Sequence, residues 1–104
     1  MADFVKVADL SEVPPGEMLL VDLEGDEVAL ANVDGTVYAI GDACTHMGGR
    51  LSQGLLEGTT VTCPLHAGQF NVATGAVVTG PPDEHVRCYR VQVNESGEIL
   101  VAAG

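Results

Sequence analysis

Met18-Leu19-Leu20-Val21-Asp22-Leu23, Val28-Ala29-Leu30-Ala31-Asn32-Val33 and Val37-Tyr38-Ala39-Ile40 follow one another, separated only by Glu24-Gly25-Asp26-Glu27 and Asp34-Gly35-Thr36. Apolar runs this short and rich in branched side chains suit extended strands better than helices. Gly25-Asp26 and Asp34-Gly35 tolerate the positive φ that a tight reversal needs, so residues 18–40 read as three strands joined by two hairpins. Outward from there, the same texture recurs at Phe4–Val7, Thr59–Cys63, Val86–Val93 and Ile99–Val101, with Ser96-Gly97 as a further hairpin turn and Pro14-Pro15-Gly16 closing the first connection. Leu10-Ser11-Glu12-Val13 allows a single helical turn with Ser11 as its cap. No long amphipathic helix is legible, and the fold class is all-β.

A chain of 104 residues has room for one modest core and no separate substrate domain. Its 15 Asp and Glu against 4 Lys and Arg give a net charge of -11, which opposes nucleic acids and anionic membranes and favours neutral or basic partners. With 46% hydrophobic and 18% charged residues it has the composition of a folded globule rather than an acidic tail. Met1–Lys6 has no basic stretch leading into an apolar one, and no apolar run approaches the roughly 18 to 20 residues a membrane span requires, so the expected location is the cytoplasm. In that reducing compartment an odd set of three cysteines, Cys44, Cys63 and Cys88, favours thiolate ligation over a disulfide framework.

Charge is spread unevenly. Residues 1–41 hold nine acids and one base, 42–79 hold Asp42 and Glu57 against Arg50, and 80–104 hold four acids against Arg87 and Arg90, so the nets are -8, -1 and -2. The glycine-rich, nearly neutral centre carries two of the three Cys and two of the three His. It reads as a subdomain inserted in a β scaffold.

Within it, Cys44-Thr45-His46 and Cys63-Pro64-Leu65-His66 form two ligand pairs, each joining a soft thiolate to an imidazole on one loop. A single tetrahedral zinc is one possible occupant, although zinc fingers usually group Cys with Cys and His with His. Mixed loops lying side by side would bring the two sulfurs to one depth and the two imidazoles to another. That suits two metal ions stacked along the loop direction, as in a two-iron, two-sulfide centre with thiolates on one iron and imidazoles on the other.

At these residues the chain resembles the Rieske family. Cys44-Thr45-His46-Met47-Gly48 is similar to the family's first ligand loop, Cys63-Pro64-Leu65-His66 to the second, and Gly80-Pro81-Pro82 to the proline loop that shields the cluster; Leu51-Ser52, Gly54, Gly58, Phe70 and Thr74-Gly75 also match the pattern. The resemblance implies one Rieske domain over 1–104 with stacked antiparallel sheets, a cluster-binding subdomain at about 42–80, and a basal scaffold of 1–41 and 81–104. It further implies one Rieske-type 2Fe-2S cluster, with Cys44 and Cys63 on the inner iron and His46 and His66 on the outer, solvent-facing one. The exposed imidazole end would be the electron port.

Departures from the pattern narrow the type. Rieske proteins of respiratory and photosynthetic complexes carry an extra Cys in each ligand loop, where Gly49 and Leu65 stand here, and hydroxyl donors where this chain has Gly68 and Phe70. Losing those donors predicts a potential toward the low end of roughly -150 to +300 mV. The chain is thus similar to the soluble ferredoxins that take single electrons from a flavoprotein reductase and pass them to the terminal oxygenase of a ring-hydroxylating dioxygenase system. The alternatives are a small Rieske-type subunit of a larger reductase, such as assimilatory nitrite reductase, and a redox-inactive zinc module. Oxygen chemistry by the chain itself needs a second, mononuclear iron site, and after His46 and His66 only His85 remains. Of the other residues, Met47, Pro64, Leu65, Pro81 and Pro82 are candidates for a small docking face, Gly48, Gly49, Gly68 and Gly75 for positive φ or close backbone approach, Arg50 for a solvated surface position or a pair with Asp42 or a partner's acid, His85 for a solvated position, and Cys88 for a buried structural thiol.

Overall fold

The computed structural model describes residues 4–23, 25–42, 50–64, 68–79 and 86–102. Ten strands are defined there: β1 (Phe4–Asp9), β2 (Met18–Leu23), β3 (Asp26–Val33), β4 (Thr36–Gly41), β5 (Leu55–Glu57), β6 (Thr60–Thr62), β7 (Gln69–Asn71), β8 (Val77–Thr79), β9 (Cys88–Val93) and β10 (Glu98–Ala102). They make two antiparallel sheets. The larger runs β1-β10-β9-β4-β3-β2, and its edge strands β1 and β2 approach each other so that it nearly closes into a barrel. The smaller, β5-β6-β7-β8, is a meander between β4 and β9 in the chain.

The hairpins fall where turn chemistry places them. Val28 pairs with Val21 and Val33 with Thr36, and the β3–β4 reversal takes Asp34 at φ 51° and Gly35 at φ 96°. Gly25 and Gly97 also adopt positive φ in their turns. The short helical turn is a 3₁₀ turn at Leu10–Glu12, but Ser11 does not cap it. Asp9 precedes it, and the Asp9 N–H donates to the Glu12 side chain at 2.8 Å, which places Ser11 inside the turn. A Leu51–Gln53 3₁₀ turn and strands β5, β7 and β8 go beyond the sequence expectation; with three residues each they are too short to display a period.

The core explains why β3 shows no polar alternation. Val28 through Asn32 are all buried, because both faces of this strand are covered. Val28 and Leu30 project into the barrel with Val37, Ala39, Leu23, Ile99 and Val101, whereas Ala29 and Ala31 face the other way with Ile40 and pack against Val61, Phe70 and Val72 of the small meander. Bulky residues fill the barrel, and small ones on the outer face let the second sheet approach closely.

One buried polar side chain ties two connections of the larger sheet. Asn32 donates from Nδ2 to the Val13 carbonyl at 2.8 Å, and its Oδ1 accepts the Gly35 N–H at 2.8 Å, so the 10–17 connection and the β3–β4 turn share one anchor. Asn32→Ala leaves a buried carbonyl without its donor and should lower unfolding stability by about 1–3 kcal/mol. Urea denaturation checks this, and an unchanged midpoint would show that the anchor carries no stability.

Candidate metal centre

The expected ligand and proline segments lie between Asp42 and Arg50, between Pro64 and Gly68, and between Thr79 and Val86. Their anchors converge. Leu51 beside the first neck, Cys63 at the second and Val86 at the third all belong to the packed cluster that contains Ile40, Val61, Phe70 and Val72. At the second neck, the Cys63 N–H donates to the Gly68 carbonyl at 2.7 Å, extending the β6–β7 ladder by one step. At the third, Thr79 pairs with Gln69, and the Val86 N–H donates to the Gly75 carbonyl at 2.9 Å.

Of the four expected ligands, Cys63 lies within the described residues. It is a free thiol on a residue only 2% exposed. Cys44, His46 and His66 lie outside the described residues, as do Met47, Gly48, Gly49, Leu65, Gly80, Pro81, Pro82 and His85. Of that donor set the described structure shows one sulfur, buried just beyond the end of β6 and backed by Val61, Phe70 and Val72, a setting compatible with a thiolate ligand shielded from water. Pro64, next to it, is exposed.

Two glycines make this packing possible. A Cβ on Gly54 would lie 2.0 Å from the Thr62 carbonyl oxygen, immediately before Cys63. A Cβ on Gly75 would lie 2.2 Å from the Val86 carbonyl oxygen, and Gly75 also has φ +78°, in line with its expected role.

The first neck is closed by charge. Asp42, only 1% exposed, accepts the Ser52 N–H on Oδ1 at 2.8 Å, and the Arg50 guanidinium lies 3.4 Å from its Oδ2 while also hydrogen-bonding the Glu27 carboxylate. Glu27, by hydrogen bond and charge, and then Asp42 raise the Arg50 pKa above its ordinary value. Arg50 is thus an exposed residue that also makes the Asp42 pairing open to it from the sequence, with Glu27 as a second partner. Its partner Glu27 comes from the β2–β3 hairpin, 23 positions away, so the sequence could not display the pair.

Cys88 is a correction to the sequence expectation of a buried thiol. On β9, Tyr89 takes the inward phase and is buried, so Cys88 and Arg90 face outward and are exposed. The Cys88 thiol donates to the Ala73 carbonyl at 3.5 Å, and partial burial raises its pKa. Arg87 is exposed and stacks over the Tyr89 ring at 4.9 Å.

The profile of the Rieske [2Fe-2S] domain family matches residues 3–90. Over 98 residues the chain is 40% identical to the ferredoxin component of the naphthalene 1,2-dioxygenase system of Pseudomonas aeruginosa, covering 94% of this chain and 93% of that one. Over 99 residues it is 43% identical to the biphenyl dioxygenase ferredoxin subunit of Pseudomonas sp. (strain KKS102), covering 94% and 90%. The solved structure of the ferredoxin of carbazole 1,9a-dioxygenase from Nocardioides aromaticivorans IC177 superposes with a TM-score of 0.92 at 39% identity, over 97% and 98% of the two chains. With the all-β architecture and the buried Cys63 neck already in place, these matches are decisive. The chain belongs to the Rieske [2Fe-2S] domain family and is a domain of the kind that binds a Rieske-type 2Fe-2S cluster.

Gly54→Ala forces the Leu51–Gln53 turn away from β6 and should destabilise the protein by about 1–3 kcal/mol. Thermal melts of the two proteins check it, and equal melting temperatures would mean that this approach is not constrained.

Proposed function

We propose that this chain is an electron-carrying ferredoxin of a ring-hydroxylating dioxygenase system, taking single electrons from a flavin-dependent reductase and passing them to the terminal oxygenase. The observation that carries the reading is its similarity, at about 40% identity over nearly the whole of both chains, to ferredoxin components of such systems. In this reading Cys44 and Cys63 hold one iron, His46 and His66 hold the other, and the imidazole pair lies toward the partner. The chain then works as one domain, with the cluster-binding part at about 42–80 and the scaffold supplied by 1–41 and 81–104, in the cytoplasm. Among the described residues no helix is long and apolar enough to cross a membrane.

The cluster supplies a reversible one-electron change. With two ferric ions, two sulfides and two thiolates its oxidised form is formally neutral, whereas four thiolates would leave it doubly negative, so reduction is easier than in plant-type ferredoxins. The protein sets where in the Rieske range it falls. Phe70 is fully buried beside Val61 and Val72 and carries no hydroxyl, and Gly68 has no side chain, so neither can donate a side-chain hydrogen bond that would favour the reduced state. A potential near the low end of the range, roughly -150 mV, follows.

The scaffold's charge suits transient encounter with basic partners. Lys6 is engaged by Asp9 and Glu98 at 3.4 and 3.2 Å, and Arg50 by Glu27 and Asp42, which leaves the surface strongly anionic. Such a field orients approach, while the nearly neutral tip permits quick release.

Anaerobic reconstitution should give a brown protein with two irons and two acid-labile sulfides per chain, a Rieske-type EPR signal on reduction, and a potential in the lower part of the range. A colourless zinc protein would overturn the cluster reading. A potential in the upper part would overturn the role given to Gly68 and Phe70.

A further inference from the structure

Electron transfer as described makes no use of Asp42, yet every polar group of this residue is committed around the neck of segment 43–49. Its N–H donates to the Glu27 carbonyl at 3.1 Å, its carbonyl accepts the Leu51 N–H at 2.8 Å, its Oδ1 accepts the Ser52 N–H at 2.8 Å, and its Oδ2 faces Arg50 at 3.4 Å. Burying a carboxylate to 1% exposure in a chain of net charge -11 runs against both desolvation and overall repulsion. A solvated position would avoid both costs, so the benefit is local. Cys44 follows Asp42 by two positions, and both Cys44 and His46 lie in the segment whose two ends Asp42 joins.

We propose that Asp42 is a positioning residue for the cluster, with Arg50 and Glu27 as its brace. By tying residue 42 to 50, 51 and 52, it removes conformational freedom from the loop ends before any metal is bound. A segment with both ends fixed would lose less entropy on taking up metal through Cys44 and His46 than one with free ends, so metal held there would be released more slowly. The inference rests on the ligand reading given above.

The test is iron release from reconstituted holo-protein challenged with excess EDTA and followed by loss of visible absorbance. Asp42→Ala should release iron about tenfold faster than the unaltered protein, the scale on which supporting hydrogen bonds act at metal sites. Asp42→Asn keeps an Oδ1 acceptor for the Ser52 N–H and should recover most of the loss. Val101→Ala, which opens the remote barrel core, serves as a control for general destabilisation and should not accelerate release at a comparable melting temperature. In apo-protein, amide exchange at Ser52 should speed up in Asp42→Ala and not in Val101→Ala.

Release from Asp42→Ala no faster than from Val101→Ala, or Asp42→Asn leaking as fast as Asp42→Ala, would overturn the proposal. Cys63→Ser, run in parallel, should form no stable chromophore. If it keeps the full chromophore, the ligand reading has failed and the proposal falls with it for that separate reason.

Discussion

Everything in this fold depends on β3 being buried on both faces. A strand covered on one side could be satisfied by alternating polar and apolar residues, but Val28 through Asn32 contains no solvent-facing position. The alternation persists as size instead of polarity: Val28 and Leu30 fill the barrel, and Ala29 and Ala31 leave shallow ground for the meander. That docking brings Leu51, Cys63 and Val86, which flank the expected ligand and proline segments in the chain, into one apolar cluster.

Close approach then becomes the governing constraint on the second layer. Gly54 and Gly75 stand where any side chain would strike a carbonyl oxygen far inside van der Waals contact, at 2.0 and 2.2 Å. These close approaches hold the Leu51–Gln53 turn against β6 at Thr62 and the β7–β8 turn against Val86. The buried Asp42 and its brace do for the first loop what the β6–β7 ladder does for the second.

Much of this was legible in the residues. The hairpins at Gly25, Asp34-Gly35 and Gly97 announced themselves because only a few residue types tolerate positive φ, and the long strands because branched residues cluster. The paired Cys and His motifs pointed to the family without any fold. Strands β5, β7 and β8 were not legible, since three residues cannot establish a period. The pairing of Arg50 with Asp42 was open from the sequence, but its second partner Glu27 was not, since it lies on a distant hairpin, and the exposure of Cys88 was decided by which phase of β9 Tyr89 occupies. Local sequence carries turns and ligand spacing, while long-range pairing and strand phase are settled by packing.

The central claim is that two imidazoles, from His46 and His66, share one iron of a cluster whose other iron is held by two thiolates. Electron-nuclear double resonance on the reduced protein, grown with nitrogen-15 histidine, addresses that directly. Two distinct histidine nitrogen couplings are predicted, both unchanged in His85→Asn. A spectrum with no histidine coupling, or one that loses a coupling when His85 is replaced, would contradict the account.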